Sequence, residues 1–210
     1  VDWAAWEPTY RAILRDFGFD PKADEAARDE LDALLADRWR AEAPGVRGRE
    51  VVVLGGGPRG SAPLPEGPLF VSDPRVVPPR RPDLVVTDLD GDVPLQLALN
   101  ATGVPLAVHA HGDNAGALRA HVPAMRGPVW GTCQCAPRGR VANFGGFTDG
   151  DRACCLAVAF GASSLALAGF DWARPTPKPG RDATVKARKL AWARRIAEGL
   201  GVPIRIVDAA

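Results

Sequence analysis

The sequence predicts an α/β fold: a Rossmann-like, mainly parallel sheet with helices on both faces and a small N-terminal helical cap. Three observations carry that expectation. From about residue 50 onward, short apolar runs alternate with segments of helical periodicity, the pattern of a layered α/β chain. The runs are almost continuously apolar, as expected of strands covered on both sides. Acidic and other polar residues gather where the runs end, which is where open α/β sheets bind their ligands. The cap covers 1–48 and the Rossmann-like domain 49–210, and 210 residues suit such an arrangement without room for two full-sized domains.

Each element has its own signal. Trp3, Trp6, Tyr10, Ile13, Leu14 and Phe17 recur at steps of three and four, one apolar helical stripe. Gly18 and the Asp20-Pro21 pair interrupt it. A second helix is expected over 24–42, with Leu31, Leu34, Leu35 and Trp39 facing inward, and Pro44-Gly45 closes the helical part. Strands are expected at 51–54, 69–71, 84–86, 105–108, 129–130, 164–168 and 203–207. Helices are expected at 93–101, 114–122, 150–161 and 182–200, with Pro-rich loops at 58–68, 74–82 and 173–179. The charge-free stretch 153–170 is broken by Gly161-Ala162-Ser163-Ser164, so it reads as a buried helix turning into a buried strand rather than a membrane span.

Composition narrows the function. Lys+Arg 26 against Asp+Glu 25 leaves a formal charge of +1, without the basic excess of a general nucleic-acid binder, so small molecules are the expected partners. Residues 1–3 (Val-Asp-Trp) lack the basic and apolar regions of an export signal, and the expected compartment is the cytoplasm. The cysteines fall as Cys133-x-Cys135 and Cys154-Cys155, neither being a Cys-x-x-Cys pair. Reduced, buried thiols are expected, in preference to a soft-metal site shared with His109 and His111.

The chemistry concentrates at the strand ends. Asp73 follows one run; Asp88, Asp90 and Asp92 follow the next; His109, His111, Asp113 and Asn114 follow a third; Asp171 follows a fourth; and Asp149 and Asp151 open a helix. Short carboxylates in tight turns suit hard cations such as Mg²⁺. Asp also caps helices and makes turns, so it is the coincidence of several strand ends that carries weight. Only four of the 26 basic residues are Lys, and Lys178, Lys186 and Lys189 lie close together. Lys178, in a Lys-Pro-Gly turn, suits a phosphate contact. Gly55-Gly56-Gly57-Pro58-Arg59-Gly60 formally fits G-x-G-x-x-G, but the prolines that follow forbid the helix a dinucleotide site requires, and no Gly-Lys-Ser/Thr makes it a P-loop. Backbone approach to phosphate at Gly55 and Gly57 stays in play.

Four segments, taken in order, resemble the archaeal-type 6-hydroxymethyl-7,8-dihydropterin pyrophosphokinases, which are related in fold to thiamine pyrophosphokinase. They are Val86-Thr87-Asp88-Leu89-Asp90-Gly91-Asp92, His109-Ala110-His111-Gly112-Asp113-Asn114, Asn143 through Arg152 (Asn-Phe-Gly-Gly-Phe-Thr-Asp-Gly-Asp-Arg), and Ala168-Gly169-Phe170-Asp171. Trp6-x-Pro8-x-Tyr10 and Lys186-x-x-Lys189-Leu190 extend the likeness to both ends. The resemblance implies Mg²⁺-dependent transfer of diphosphate from ATP to the hydroxymethyl group of a reduced pterin, in tetrahydrofolate or methanopterin biosynthesis. On it, Asp88 and Asp90 are expected to hold the metal, with Asp113, Asp151 and Lys178 completing the catalytic set. Gly55, Gly57, Asp73, Thr148, Asp149 and Arg152 are expected to face the nucleotide, and His111, Asn114 and Asp171 the pterin. Two segments depart from the family pattern: Gly57-Pro58-Arg59 stands where Gly-Pro-Ser is usual, and Ser72-Asp73-Pro74-Arg75 where an Ala-Asp-Gly-Ala turn is usual. A glycosyltransferase-like enzyme and a non-catalytic nucleotide-binding module are the competing readings, and a homodimer is left open.

Overall fold

The computed structural model describes residues 2–35, 42–58, 63–173 and 182–207. Among them, eight strands form one sheet: β1 (Glu50–Leu54), β2 (Leu69–Ser72), β3 (Leu84–Thr87), β4 (Leu106–Ala110), β5 (Val129–Cys133), β6 (Val141–Ala142), β7 (Ser164–Ala168) and β8 (Ile204–Ile206). Every neighbouring pair is parallel, and the order is β6-β5-β4-β3-β2-β1-β7-β8. The helices are α1 (Trp3–Phe17), α2 (Pro21–Leu34), α3 (Val93–Ala101), α4 (Ala115–His121), α5 (Asp149–Ala159) and α6 (Ala183–Glu198). No described helix is long and apolar enough to cross a membrane.

The apolar runs behave as their composition requires. All residues of β2, β3, β4 and β5 are buried, and alternate side chains enter two separate cores. Val52, Leu69, Val71, Val85, Leu106 and Val108 join Trp6, Tyr10, Ile13, Leu31 and Leu118 from α1, α2 and α4. Val51, Val53, Phe70, Leu84, Val86 and Leu167 join Ala153, Cys154, Leu156 and Ala157 from α5. The two N-terminal helices thus share a core with the sheet. Each fully buried Val, Leu or Phe here contributes about 1.5–3 kcal/mol relative to exposure.

Three local features differ from expectation. α2 starts at Pro21, because Asp20 caps it by accepting the Lys22 N–H at 3.0 Å and proline is at home in a first helical turn. Its described part ends at Leu34, and Trp39 lies outside the described residues. β4 and β5 both run on, to Ala110 and Cys133, because His109 and Ala110 pair with Thr132 and Cys133, so His109 lies within its strand and not beyond it. β6, two residues long, was not expected, whereas the 73–83 connection is the expected loop, joining two parallel neighbours without a helix.

Strand order reverses between β1 and β7. The carboxyl ends of β1, β2, β3, β4 and β7 therefore open onto one rim, beside the switch point where α/β sheets place ligands.

Candidate active site

The site grows from two strained turns. β3 ends at Thr87, whose Oγ1 accepts the Leu89 N–H at 2.9 Å, and Asp88 Oδ1 accepts the Asp90 N–H at 3.1 Å. Leu89 sits at φ 66°, a left-handed conformation costing a non-glycine residue about 1–2 kcal/mol, and its burial offsets that cost. Asp73, just beyond β2, is also left-handed at φ 42°, and its N–H donates to Val86 O at 2.7 Å. The two turns bring Asp73, Asp88 and Asp90 together, with carboxylate oxygens within 4.8 Å of one another. Asp92 does a different job, capping α3 by accepting the Leu95 N–H at 3.1 Å.

Neighbours hold the cluster in place. Buried Gln96 of α3 accepts the Thr87 hydroxyl at 2.9 Å and donates to Asp73 Oδ1 at 3.0 Å. Arg75 Nη2 bridges Asp73 Oδ2 at 2.9 Å and Asp90 Oδ1 at 3.0 Å. Burial, then the Asp90 charge, pushes the Asp73 carboxyl up to about 6 against the pull of Arg75. Burial also acts to raise Asp88, but the His111 hydrogen bond and charge, with Arg152, bring it down to about 2. Three hard oxygen donors converging within 4.8 Å of one another fit a divalent cation such as Mg²⁺.

β4 and α5 supply the surroundings. His111 Nε2 lies 3.5 Å from Asp88 Oδ2, and its Nδ1 lies 2.7 Å from Oδ1 of the largely exposed Asp113. Asn114 clamps the ends of β3 and β4: its Nδ2 donates to Asp88 O and His109 O at 2.9 and 2.7 Å, and its Oδ1 accepts the His111 N–H. The His109 and His111 rings stack with centroids 5.9 Å apart. His109 is buried, and desolvation, reinforced by Arg152, pushes its pKa well below the usual value. Because the Thr132 hydroxyl donates to Val108 O at 3.2 Å, it accepts from His109 at 3.1 Å, which assigns the proton to Nδ1.

At the start of α5, Thr148 and Asp151 form a capping box. Asp151 accepts the N–H groups of Phe147 and Thr148, both at 2.7 Å, and the Thr148 hydroxyl. Asp149 is held well above the usual carboxylate range by burial, then by the negative field of Asp88, with Arg152 opposing at 3.3 Å. Gly146, at φ 92°, lets the loop pack directly on the start of α5 beside the buried Arg152: a Cβ there would lie 2.5 Å from Arg152 Cα.

The structure thus groups Asp73, Asp88 and Asp90, surrounds them with His111, Asn114, Asp149 and Arg152, and leaves Asp113 at the rim. Asp151 has both oxygens engaged in its cap. Gly55 and Gly57 lie against β7, their N–H groups donating to Ala168 O and Gly169 O at 2.8 and 3.0 Å. Asp171 follows β7, where its Oδ1 accepts the Ala173 N–H. Lys178 lies outside the described residues. All four cysteines are free and buried, and among the described residues the aspartate trio is the cluster with metal-ligand geometry. Sequence reasoning missed Gln96 and Arg75 as site residues. Gln96 had a weak signal, a polar residue in an apolar helix; Arg75 had none.

No protein-family model matches the chain. Three proteins named 6-hydroxymethyl-7,8-dihydropterin pyrophosphokinase are similar to it. The protein of Methanothermobacter thermautotrophicus is 36% identical over 220 aligned positions, covering 94% of this chain and 93% of its own. That of Pyrococcus furiosus is 34% identical, covering 95% and 94%. That of Methanocaldococcus jannaschii is 32% identical, covering 98% of both. With identity above 30% along nearly the whole of each chain, this protein belongs to the 6-hydroxymethyl-7,8-dihydropterin pyrophosphokinase family.

Proposed function

We propose that this enzyme transfers diphosphate from ATP to the hydroxymethyl group of 6-hydroxymethyl-7,8-dihydropterin, giving the pterin diphosphate and AMP, with Mg²⁺ held by Asp73, Asp88 and Asp90. The observation that carries the reading is the convergence of those three carboxylates at the ends of β2 and β3, in a chain whose relatives bear that name. The hydroxymethyl oxygen forms a bond to the β-phosphorus of ATP. The bond from that phosphorus to the α,β-bridging oxygen breaks, AMP leaves with the oxygen, and the hydroxyl proton passes to solvent. A bound Mg²⁺ neutralises phosphate charge.

The chain's own residues do the rest by positioning. The Asn114 clamp and the Gln96 bridge fix the carboxylates. Arg152 and Lys178 supply cationic charge to the polyphosphate, as Thr148 and Asp149 border it. His111 borders the pterin, with Asn114 holding the turn behind it, and Asp171 presents its carboxylate to the aminopyrimidine edge. The product serves tetrahydrofolate or methanopterin synthesis. We place the enzyme in the cytoplasm, a reducing compartment that suits its four free, buried thiols.

The test is a reaction of purified protein with ATP, the reduced pterin and Mg²⁺, followed by chromatography. AMP and pterin diphosphate are expected to appear in equal amounts, and only with Mg²⁺ present. ATP binding without either product would instead mark a nucleotide-binding module.

A further inference from the structure

We propose that Arg75 is a built-in counter-ion of the carboxylate cluster, which an incoming divalent cation must displace; the inference rests on the metal role assigned above. One nitrogen, Nη2, makes both contacts, 2.9 Å from Asp73 Oδ2 and 3.0 Å from Asp90 Oδ1, and lies 3.4 Å from Asp90 O. It therefore stands between two strand ends, where a shared cation would stand. The oxygen choice is informative. Asp73 Oδ1 is committed to Gln96, so Oδ2, the oxygen left for a metal, is the one Arg75 covers.

The geometry also permits exchange. The Arg75 side chain is 47% exposed, whereas that of Asp73 is only 11% exposed. Asp73 is thus anchored, and Asp90, 41% exposed, is held from its own turn, while the guanidinium sits on a long stem at the surface of a loop. A solvated ion pair of this kind is weak, so a doubly charged ion outcompetes it. Until then the guanidinium offsets repulsion among three clustered negative groups. Arg75 is in this sense a positioning residue: it keeps Asp73 and Asp90 in ligating geometry before the metal arrives, and it lowers their apparent affinity for that metal.

Manganese(II), a hard cation followed by electron paramagnetic resonance, tests this on metal-stripped protein without nucleotide. Arg75→Ala is expected to bind Mn²⁺ about tenfold more tightly than the parent, from the loss of one competing unit charge at contact distance. In chelator the same variant is expected to melt about 2–4 °C lower, and Mn²⁺ to raise its Tm by more than it raises the parent's. Arg75→Lys keeps the charge on a shorter, more strongly hydrated side chain and is expected to fall between the two, which also guards against a folding defect in the alanine variant. Equal or weaker Mn²⁺ binding by Arg75→Ala, with the parent binding normally, overturns the counter-ion role. Absence of Mn²⁺ binding from parent and variants alike overturns the metal assignment, and this proposal with it.

Discussion

Gly91 packs against the carboxyl group of Asp73 so closely that a methyl group there would lie 2.1 Å from Oδ1. Its φ is not left-handed, so alanine is tolerated by the backbone, and the carboxylate must give way instead. Gly91→Ala is therefore expected to leave Tm within a few degrees while kcat/KM falls on the order of 10–100-fold, the usual effect of disturbing a ligand's support. Unchanged kinetics would show that Asp73 is free to move without consequence. Asp90→Asn asks a different question, since it removes a charge at nearly constant shape. Turnover is expected to drop on the order of 100-fold or more with an unaltered circular dichroism spectrum; parent-like turnover at saturating Mg²⁺ would remove Asp90 from the metal site. Asp88 and Asp90 were legible in the sequence because acids gather at several strand ends at once, although the spacing alone did not separate them from Asp92, which caps α3. Asp73 was legible as a strand-end acid, but its meeting with the other two depends on the β2–β3 pairing. Arg75 could not be read, because an arginine in a proline-rich loop looks the same whether it faces water or a carboxylate.

At the scale of an element, α5 begins at a point where capping and chemistry meet. Thr148, Asp149, Asp151 and Arg152 lie within five residues, and the sequence alone assigned all four to the nucleotide or to catalysis. The structure separates them by what each side chain touches. Asp151 spends both oxygens on the N–H groups of Phe147 and Thr148 and on the Thr148 hydroxyl, so its carboxylate holds the loop onto the helix. Asp149 and Arg152 instead share the electrostatic field of Asp88. Asp151→Asn presents an NH₂ group to amide donors and leaves at least one of them unmatched. The expected outcome is a loss of about 1–3 kcal/mol in urea unfolding, with Mn²⁺ affinity within about threefold of the parent. The opposite pattern, lost Mn²⁺ binding at unchanged stability, would make Asp151 a ligand. The same ambiguity misplaced the start of α2: Asp20-Pro21 reads as a break, yet the pair is also a helix beginning, and only the Lys22 N–H reaching Asp20 decides between them.

Across the whole molecule, the parallel sheet was readable because its central strands are buried on both faces and so are apolar without interruption, as in Leu84-Val85-Val86. β6 was not, since two residues between bends carry no period. Nor could the sequence show how its ends meet. Asp16, near the end of α1, accepts Arg188 Nη2 at 2.7 Å and Trp192 Nε1 at 2.8 Å from α6, and the Arg188 guanidinium lies 4.8 Å from the centre of the Phe17 ring. This clasp joins segments more than 170 residues apart, on either side of the strands that carry the site. The Trp192 and Arg188 hydrogen bonds hold the Asp16 carboxyl below its ordinary value of 3.8. A carboxyl whose folded pKa lies below its unfolded one contributes stability above the unfolded value, and that contribution disappears as pH falls through the folded value. Asp16→Asn is therefore expected to be less stable than the parent in urea at pH 7 and pH 5. The gap between them should narrow steadily below about pH 4, as the parent's carboxyl takes up its proton. Other carboxylates titrate in the same range, but they do so in both proteins and cancel in the difference. A gap that stayed constant down to pH 2.5 would mean that the charge of the Asp16 carboxyl is not what the clasp uses, and no gap at any pH would mean that packing of Trp192 and Phe17 carries it alone.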